Sequence, residues 1–343
     1  MVNQQVFLKH SGSRYPLMCG AMFPWSDPGL VGAVSAAGGF GEIQPVSFTY
    51  VHGYALDKAI DRIQERTLNP FSINILVEGS QDRYRATAMG WLDTAIDKGC
   101  RFVTTALGKP TDIVKIAHDR GAVVYHKVTN LRHAEVAMSA GVDGLIAVNK
   151  RAGGHAGGLS AEELFAQLSQ FGVPLVCAGG VGDPSAYADA LEMGYAAVLM
   201  GTRFLASTEC LADEQYKAAI LRAQESDIVL TERVTGVPLA VINTPEVQRL
   251  GYSMPFWARI MMKQPNGKKL VRLWFAFRSG QSLKKAVRGG LTPQDIYQAG
   301  KSVGGITSVQ SVAEIVESFN QEATRRGVLY LPSKSDPQNG SFG

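Results

Sequence analysis

Eight short apolar runs rich in β-branched and aromatic residues recur through the first two-thirds of the chain, each followed by a helix-sized stretch. The runs are residues 16–20, 40–44, 71–77, 102–106, 122–126, 144–148, 174–178 and 197–201. Strands buried on both faces read as near-continuous hydrophobic runs, which marks a parallel sheet covered by helices. The helical stretches between them are 27–37, 80–98, 110–120, 131–140, 160–171 and 184–193. Several open on an N-cap: Asp27 before Pro28, Ser160 with Glu163 three residues on, and Asp183 before Pro184. Gly121, Gly141 and Gly194 close others. A doubly wound open sheet uses the same alternation. Eight repeats of short period favour closure, so the expected fold is α/β, a (β/α)8 TIM barrel over residues 1–212.

The rhythm breaks after residue 212. Residues 213–290 hold Phe256, Trp257, Trp274, Phe275 and Phe277 with a methionine-rich run and no strand–helix alternation. They read as an inserted, mostly helical lid, with helices over 214–223 and 279–287 around a polar loop at 263–269. Trp257, Trp274 and Phe277 suit two roles, pocket lining or a homodimer contact, and the sequence does not choose. Residues 291–331 return to the barrel wall with a capped helix over 311–326, and 332–343 form a loose tail.

Some classes of function fall away on composition. Net charge is +4 with the basic residues scattered, apart from pairs such as Lys268-Lys269, Lys284-Lys285 and Arg325-Arg326, so no nucleic-acid surface is expected. No run is long and apolar enough for a bilayer, and the first residues lack a signal-peptide layout. The four cysteines, Cys19, Cys100, Cys177 and Cys210, are far apart and form no Cys-x-x-Cys pair. That argues against a disulfide frame and a metal site, and points to the cytoplasm.

In a parallel barrel, reactive groups sit at the carboxyl ends of the strands. Those ends carry Ala21, Met22 and Phe23 after the first strand, Asn74 in the third and Lys127 in the fifth. The sixth runs into Ala152-Gly153-Gly154-His155-Ala156-Gly157-Gly158. Gly179 and Gly180 follow the seventh, and Gly201 and Thr202 the eighth. Bare main-chain amides on the last two strands, with a helix amino end following, suit a phosphate. The mixture of Met22, Phe23, the Asn74 amide and the Lys127 cation suits a flat ring with polar edges, so FMN is the expected cofactor. Lys127 would stabilise negative charge at the N1–C2=O edge of a reduced flavin. His155, flanked by glycine, has no neighbouring side chains to pack on and reads as a general base or substrate anchor. His126 and His133 lack that setting and read as structural.

These residues resemble the bacterial nitronate monooxygenases, formerly called 2-nitropropane dioxygenases. The resemblance is carried by the glycine–histidine loop, residues 16–22 with 27–41, the pair His126-Lys127, residues 178–183 and 200–209, and Tyr297-Gln298-Ala299-Gly300. It implies an FMN-containing barrel with a helical lid that oxidises alkyl nitronates with dioxygen. Carried over by position, Ala21, Met22, Phe23, Asn74, Lys127, Gly153, Gly179, Gly180, Gly201 and Thr202 would contact FMN, and His155 would be the catalytic histidine. Two features depart from the family. Phe23 stands where relatives often have a small or polar residue, and Asn149-Lys150-Arg151 is unusually basic. Lys150 and Arg151 at the rim would suit an anionic substrate, a nitronate or a phosphate-bearing thioester. The chain also resembles the flavin-dependent enoyl-acyl-carrier-protein reductases. The alternative function is therefore NAD(P)H-dependent flavin reduction acting on a quinone or an enoyl thioester.

Overall fold

A computed structural model describes residues 2–77, 82–255, 258, 261 and 296–330. Eight strands close into a parallel barrel in chain order: β1 (Leu17–Cys19), β2 (Phe40–Ile43), β3 (Phe71–Leu76), β4 (Phe102–Ala106), β5 (Val123–Val128), β6 (Gly144–Val148), β7 (Leu175–Ala178) and β8 (Ala197–Met200). β1 pairs in parallel with both β2 and β8, which completes the ring. Every expected run is a strand. The helices that follow include α2 (Pro28–Ala36), α3 (Leu56–Gln64), α4 (Asp82–Asp97), α5 (Thr111–Asp119), α6 (Leu131–Met138), α7 (Ala161–Leu168), α8 (Pro184–Glu192) and the single turn α9 (Thr202–Leu205). The predicted caps form: Asp27 accepts from the Gly29 amide at 2.7 Å, Asp183 from Ala186 at 2.9 Å, and Ser160 with Glu163 makes a capping box.

Side chains alternate along each strand. Outward residues such as Leu17, Cys19, Ile43, Ile73 and Val103 join the core between strands and helices. Inward residues Met18, Phe40, Phe102, Tyr125, Ile146 and Val176 fill the lower barrel. A helix that the sequence reading did not foresee, α1 (Val2–Ser11), plugs the amino end. Its Phe7 is fully buried and meets Phe40, Phe102 and Tyr125 edge-on, with ring centroids 6.4, 6.0 and 6.1 Å away. Burying one such side chain contributes about 1.5–3 kcal/mol, and edge-to-face contacts add to that.

Within the segment expected as a mostly helical lid, the described residues hold two helices, α10 (Glu214–Arg222) and α11 (Pro245–Leu250). They also hold an antiparallel ribbon of β9 (Ile228–Thr231) and β10 (Leu239–Ile242), absent from the sequence reading. The helix expected over 279–287, the residues Trp257, Trp274 and Phe277, and the tail 332–343 lie outside the described residues. The chain then returns to the barrel. Gln298 bridges to Val241 of β10, and α12 (Val312–Arg325), with a Ser311–Glu314 capping box, packs on α8 and α2. Beyond it, the Val328 carbonyl accepts from Gln4 of α1 at 3.2 Å. Among the described residues no helix is long and apolar enough to cross a membrane.

Candidate active site

On β2, β4 and β5 the inward positions change from apolar to polar two residues up the strand, and on β3 they are polar at both levels. Above Phe40 stands Glu42, above Ser72 Asn74, above Phe102 Thr104, and above Tyr125 Lys127. The Glu42 side chain is 0% exposed and that of Lys127 19%. A buried carboxylate persists only when paired and hydrogen-bonded. Here the Lys127 ammonium donates to Glu42 Oε2 and to Asn74 Oδ1, both at 2.9 Å. The Thr104 hydroxyl donates to Glu42 Oε1, and the Ala21 amide to Glu42 Oε2. Two of the sequence-derived candidates, Ala21 and Lys127, therefore bond one residue that sequence reasoning missed, and a third, Asn74, joins them through Lys127. The available signal was a lone acid inside an apolar strand. Met22 and Phe23 continue from Ala21 as a half-buried loop at the same mouth. That loop is held by paired bonds between Met22 and Ser26, and Met22 lies against Gly201.

The second group is a rim of backbone. Gly179 and Gly180 have φ of +112° and +83°, which disfavour any side chain. A Cβ at Gly179 would come within 2.6 Å of Ala152 N and Asn149 Oδ1, and one at Gly180 within 2.6 Å of Arg151 Nε. Asn149 holds the two strand ends together: its amide donates to the Gly179 carbonyl at 2.9 Å and its oxygen accepts from the Arg151 N–H at 2.8 Å. Across the rim, the Gly300 N–H donates to Thr202 Oγ1 at 3.1 Å. Gly300 also packs backbone to backbone on Gly153, where a Cβ on either would meet the other's main chain within 2.8 Å. Among the described residues, nothing accepts from the amides of Gly179, Gly180 or Gly201. Three half-buried glycines at adjacent strand ends thus keep N–H groups without a partner among the described residues, and clustered free amides of this kind recognise an anion.

His155 stands beside this rim. The Gly154 carbonyl accepts from Ala240 N of the ribbon at 2.7 Å, and His155 Nε2 lies 3.3 Å from Thr235 Oγ1 in the turn between β9 and β10. His155 is exposed, yet the protein packed around it still desolvates the charged form and lowers its pKa from the usual 6.5. The imidazole is consequently neutral near pH 7 and able to accept a proton. The expected basic rim is only half present. Arg151 is committed to Glu225 through two hydrogen bonds, one of 2.9 Å, whereas Lys150 is exposed. His126 faces away from the mouth against Thr105 at 2.8 Å, its pKa lowered by burial to about 4, and His133 bonds Thr129 at 2.9 Å. Burial pushes Cys100 and Cys177 up to about 12 and Cys210 to about 11, so these thiols are not nucleophiles at neutral pH. Among the described residues no cluster of metal-ligating side chains occurs. A cleft of about 530 Å3, lined by residues including Arg14, Ser35, Gly38 and Asn69, lies at the opposite, amino end of the barrel.

Known proteins are similar to this chain over most of its length. A family model described as nitronate monooxygenase matches residues 5–322. A Rhodococcus jostii protein, (3aS,4S,5R,7aS)-5-hydroxy-7a-methyl-1-oxo-octahydro-1H-indene-4-carboxyl-CoA dehydrogenase, is 25% identical over 92% of this chain and 94% of its own. A probable nitronate monooxygenase of Staphylococcus saprophyticus is 28% identical over 69% of this chain and 78% of its own. The structure of FabK from Thermotoga maritima superposes with a TM-score of 0.74 at 27% identity, covering 94% of this chain and 96% of that one.

Proposed function

The chain belongs to the nitronate monooxygenase family, and from that premise we propose that it oxidises alkyl nitronates with dioxygen, using FMN, to a carbonyl compound and nitrite. The observation that carries this reading is the pairing, at one barrel mouth, of a fixed ammonium at Lys127 with unpaired amides at Gly179, Gly180 and Gly201. That pairing suits FMN: the amides, with the Thr202 hydroxyl, would hold its phosphate, and Lys127 with Asn74 its polar ring edge. Ala21, Met22, Phe23 and Gly153 would flank the ring. FMN, when bound, supplies electron transfer between an organic substrate and dioxygen.

The protein's own contribution is binding and proton handling. A nitronate is already an anion and needs an oriented, partly apolar pocket. For a neutral nitroalkane, His155 would first accept the α-proton at a ring nitrogen. Its lowered pKa keeps it in the accepting form near neutral pH, and the Thr235 hydroxyl helps to orient it. Lys150, exposed beside the loop, adds positive potential that favours anionic substrates.

A second reading has its own support. The relative matched over nearly the whole chain is named as a dehydrogenase of a coenzyme A thioester, whereas the probable nitronate monooxygenase covers a smaller share. On that reading, NAD(P)H reduces the cofactor and the acceptor is an enoyl thioester or a quinone. Anaerobic mixing of the FMN-loaded protein separates the two. Rapid bleaching by ethyl nitronate or propionate 3-nitronate, and not by NADH or NADPH, is the expected result. Bleaching by the nicotinamides alone would overturn the nitronate reading in favour of the reductase.

A further inference from the structure

We infer that Glu42 is a positioning residue that sets how strongly the barrel mouth favours a reduced over an oxidised flavin. The inference rests on the reading of this mouth as a flavin site.

Glu42 is the acceptor that joins the loop after β1 to β4 and β5. Its carboxylate accepts from the Ala21 amide in the loop after β1, from the Thr104 hydroxyl of β4 and from the Lys127 ammonium of β5. Asn74 joins the same network as the second acceptor for Lys127. An ammonium has three donors. Two are used by Glu42 and Asn74, each at 2.9 Å. The third has no partner among the described residues, and Lys127 is partly exposed, so this donor is free for a bound ligand. The carboxylate thus aims the lysine and at the same time offsets its charge.

That offset matters because the pair is buried, where a unit charge acts more strongly than in water. A reduced flavin carries negative charge at its N1–C2=O edge, whereas the oxidised ring is neutral. An isolated ammonium there would favour the reduced form strongly. An ammonium paired with Glu42 favours it much less. The fold therefore combines a fixed hydrogen-bond donor with a nearly neutral local field.

The network allows this to be tested by changing charge alone. In Glu42→Gln the remaining oxygen still accepts from Lys127 and Ala21, and the new amide N–H can donate to Thr104. The Thr104 hydroxyl then turns its own proton to Asn74 Oδ1 at 3.3 Å or the Ile73 carbonyl at 3.5 Å. The full-length protein and its E42Q, K127M and E42Q/K127M variants are loaded with FMN. Uptake is followed by quenching of FMN fluorescence, and the midpoint potential of the bound cofactor by spectroelectrochemical titration.

E42Q should raise the midpoint potential by an amount equal to at least a tenfold gain in preference for the reduced form, about 30 mV for a two-electron couple. K127M should lower it, and the double variant should return towards the parent. If E42Q alone fails to fold, K127M against the double variant asks the same question, because Glu42 should then lower the potential unaided. Normal FMN uptake with a potential that is unchanged or lower in E42Q, or equal in K127M and the double variant, would overturn the role of Glu42 and leave the flavin site standing. A parent protein that takes up no FMN would overturn the site itself, and the inference with it.

Discussion

The two ends of the barrel interior are built from the same strands and do opposite things. At the amino end, Phe40, Phe102 and Tyr125 close around Phe7 of α1 as a dry aromatic layer. Two residues further along the same strands, the inward positions become Glu42, Thr104 and Lys127, joined by Asn74. The lower layer gains from apolar burial and needs no partner outside the chain. The upper layer holds a buried charge pair, whose desolvation offsets much of its attraction. It also leaves donors pointing outward. One register step thus separates the part that holds the barrel shut from the part equipped to bind.

Three substitutions probe that separation, beginning with the largest effect. Phe7→Ala should lower unfolding stability by about 3–5 kcal/mol, because no neighbour can collapse fully into the space. Denaturant titration measures this. FMN affinity of the folded fraction should stay at the parent value, and a parallel loss of affinity would break the division between the ends. His155→Asn should leave FMN uptake intact and cut turnover of a neutral nitroalkane by about a hundredfold or more. The sign of the pH effect follows from desolvation of the ring. Only the unprotonated imidazole accepts a proton, and its pKa lies below 6.5. The parent's rate on a nitroalkane should therefore hold near neutrality and fall as pH drops beneath that value, a limb missing in His155→Asn. Unchanged turnover would remove the role assigned to His155. The smallest effect is expected for Tyr125→Phe, which removes the hydroxyl lying 3.1 Å from His10 Nδ1 at the amino end. It should cost about 1 kcal/mol in the same titration, with no change in FMN affinity. Any shift in affinity would show that the aromatic layer reaches upward to the site.

Much of this was legible in the sequence, for identifiable reasons. The barrel strands could be read because each is a short run made mostly of apolar and β-branched residues, and α7 and α8 because Ser160, Asp183 and Pro184 announce them. Helix α1 could not: the face it buries, Gln4, Phe7, Leu8 and Ser11, has helical spacing but is half polar, so no apolar stripe shows in the sequence. The ribbon was hidden because Ile228–Thr231 and Leu239–Ile242 are four-residue strands in a segment dominated by aromatic and polar residues. In the site, the glycines and Lys127 stood out through residue type and position at strand ends. Glu42 did not, because a strand acid gives no sign of its partners, which lie on β1, β4 and β5. Thr235 was likewise out of reach, brought to His155 by the unforeseen ribbon.

The return of the chain at Gln298–Gly300 has a practical consequence. Gln298 is bridged to β10, and Gly300 is wedged against Gly153 and bonded to Thr202, so residues 298–300 tie the ribbon to the barrel rim. A change in the ribbon is therefore carried to the glycine rim through three consecutive residues.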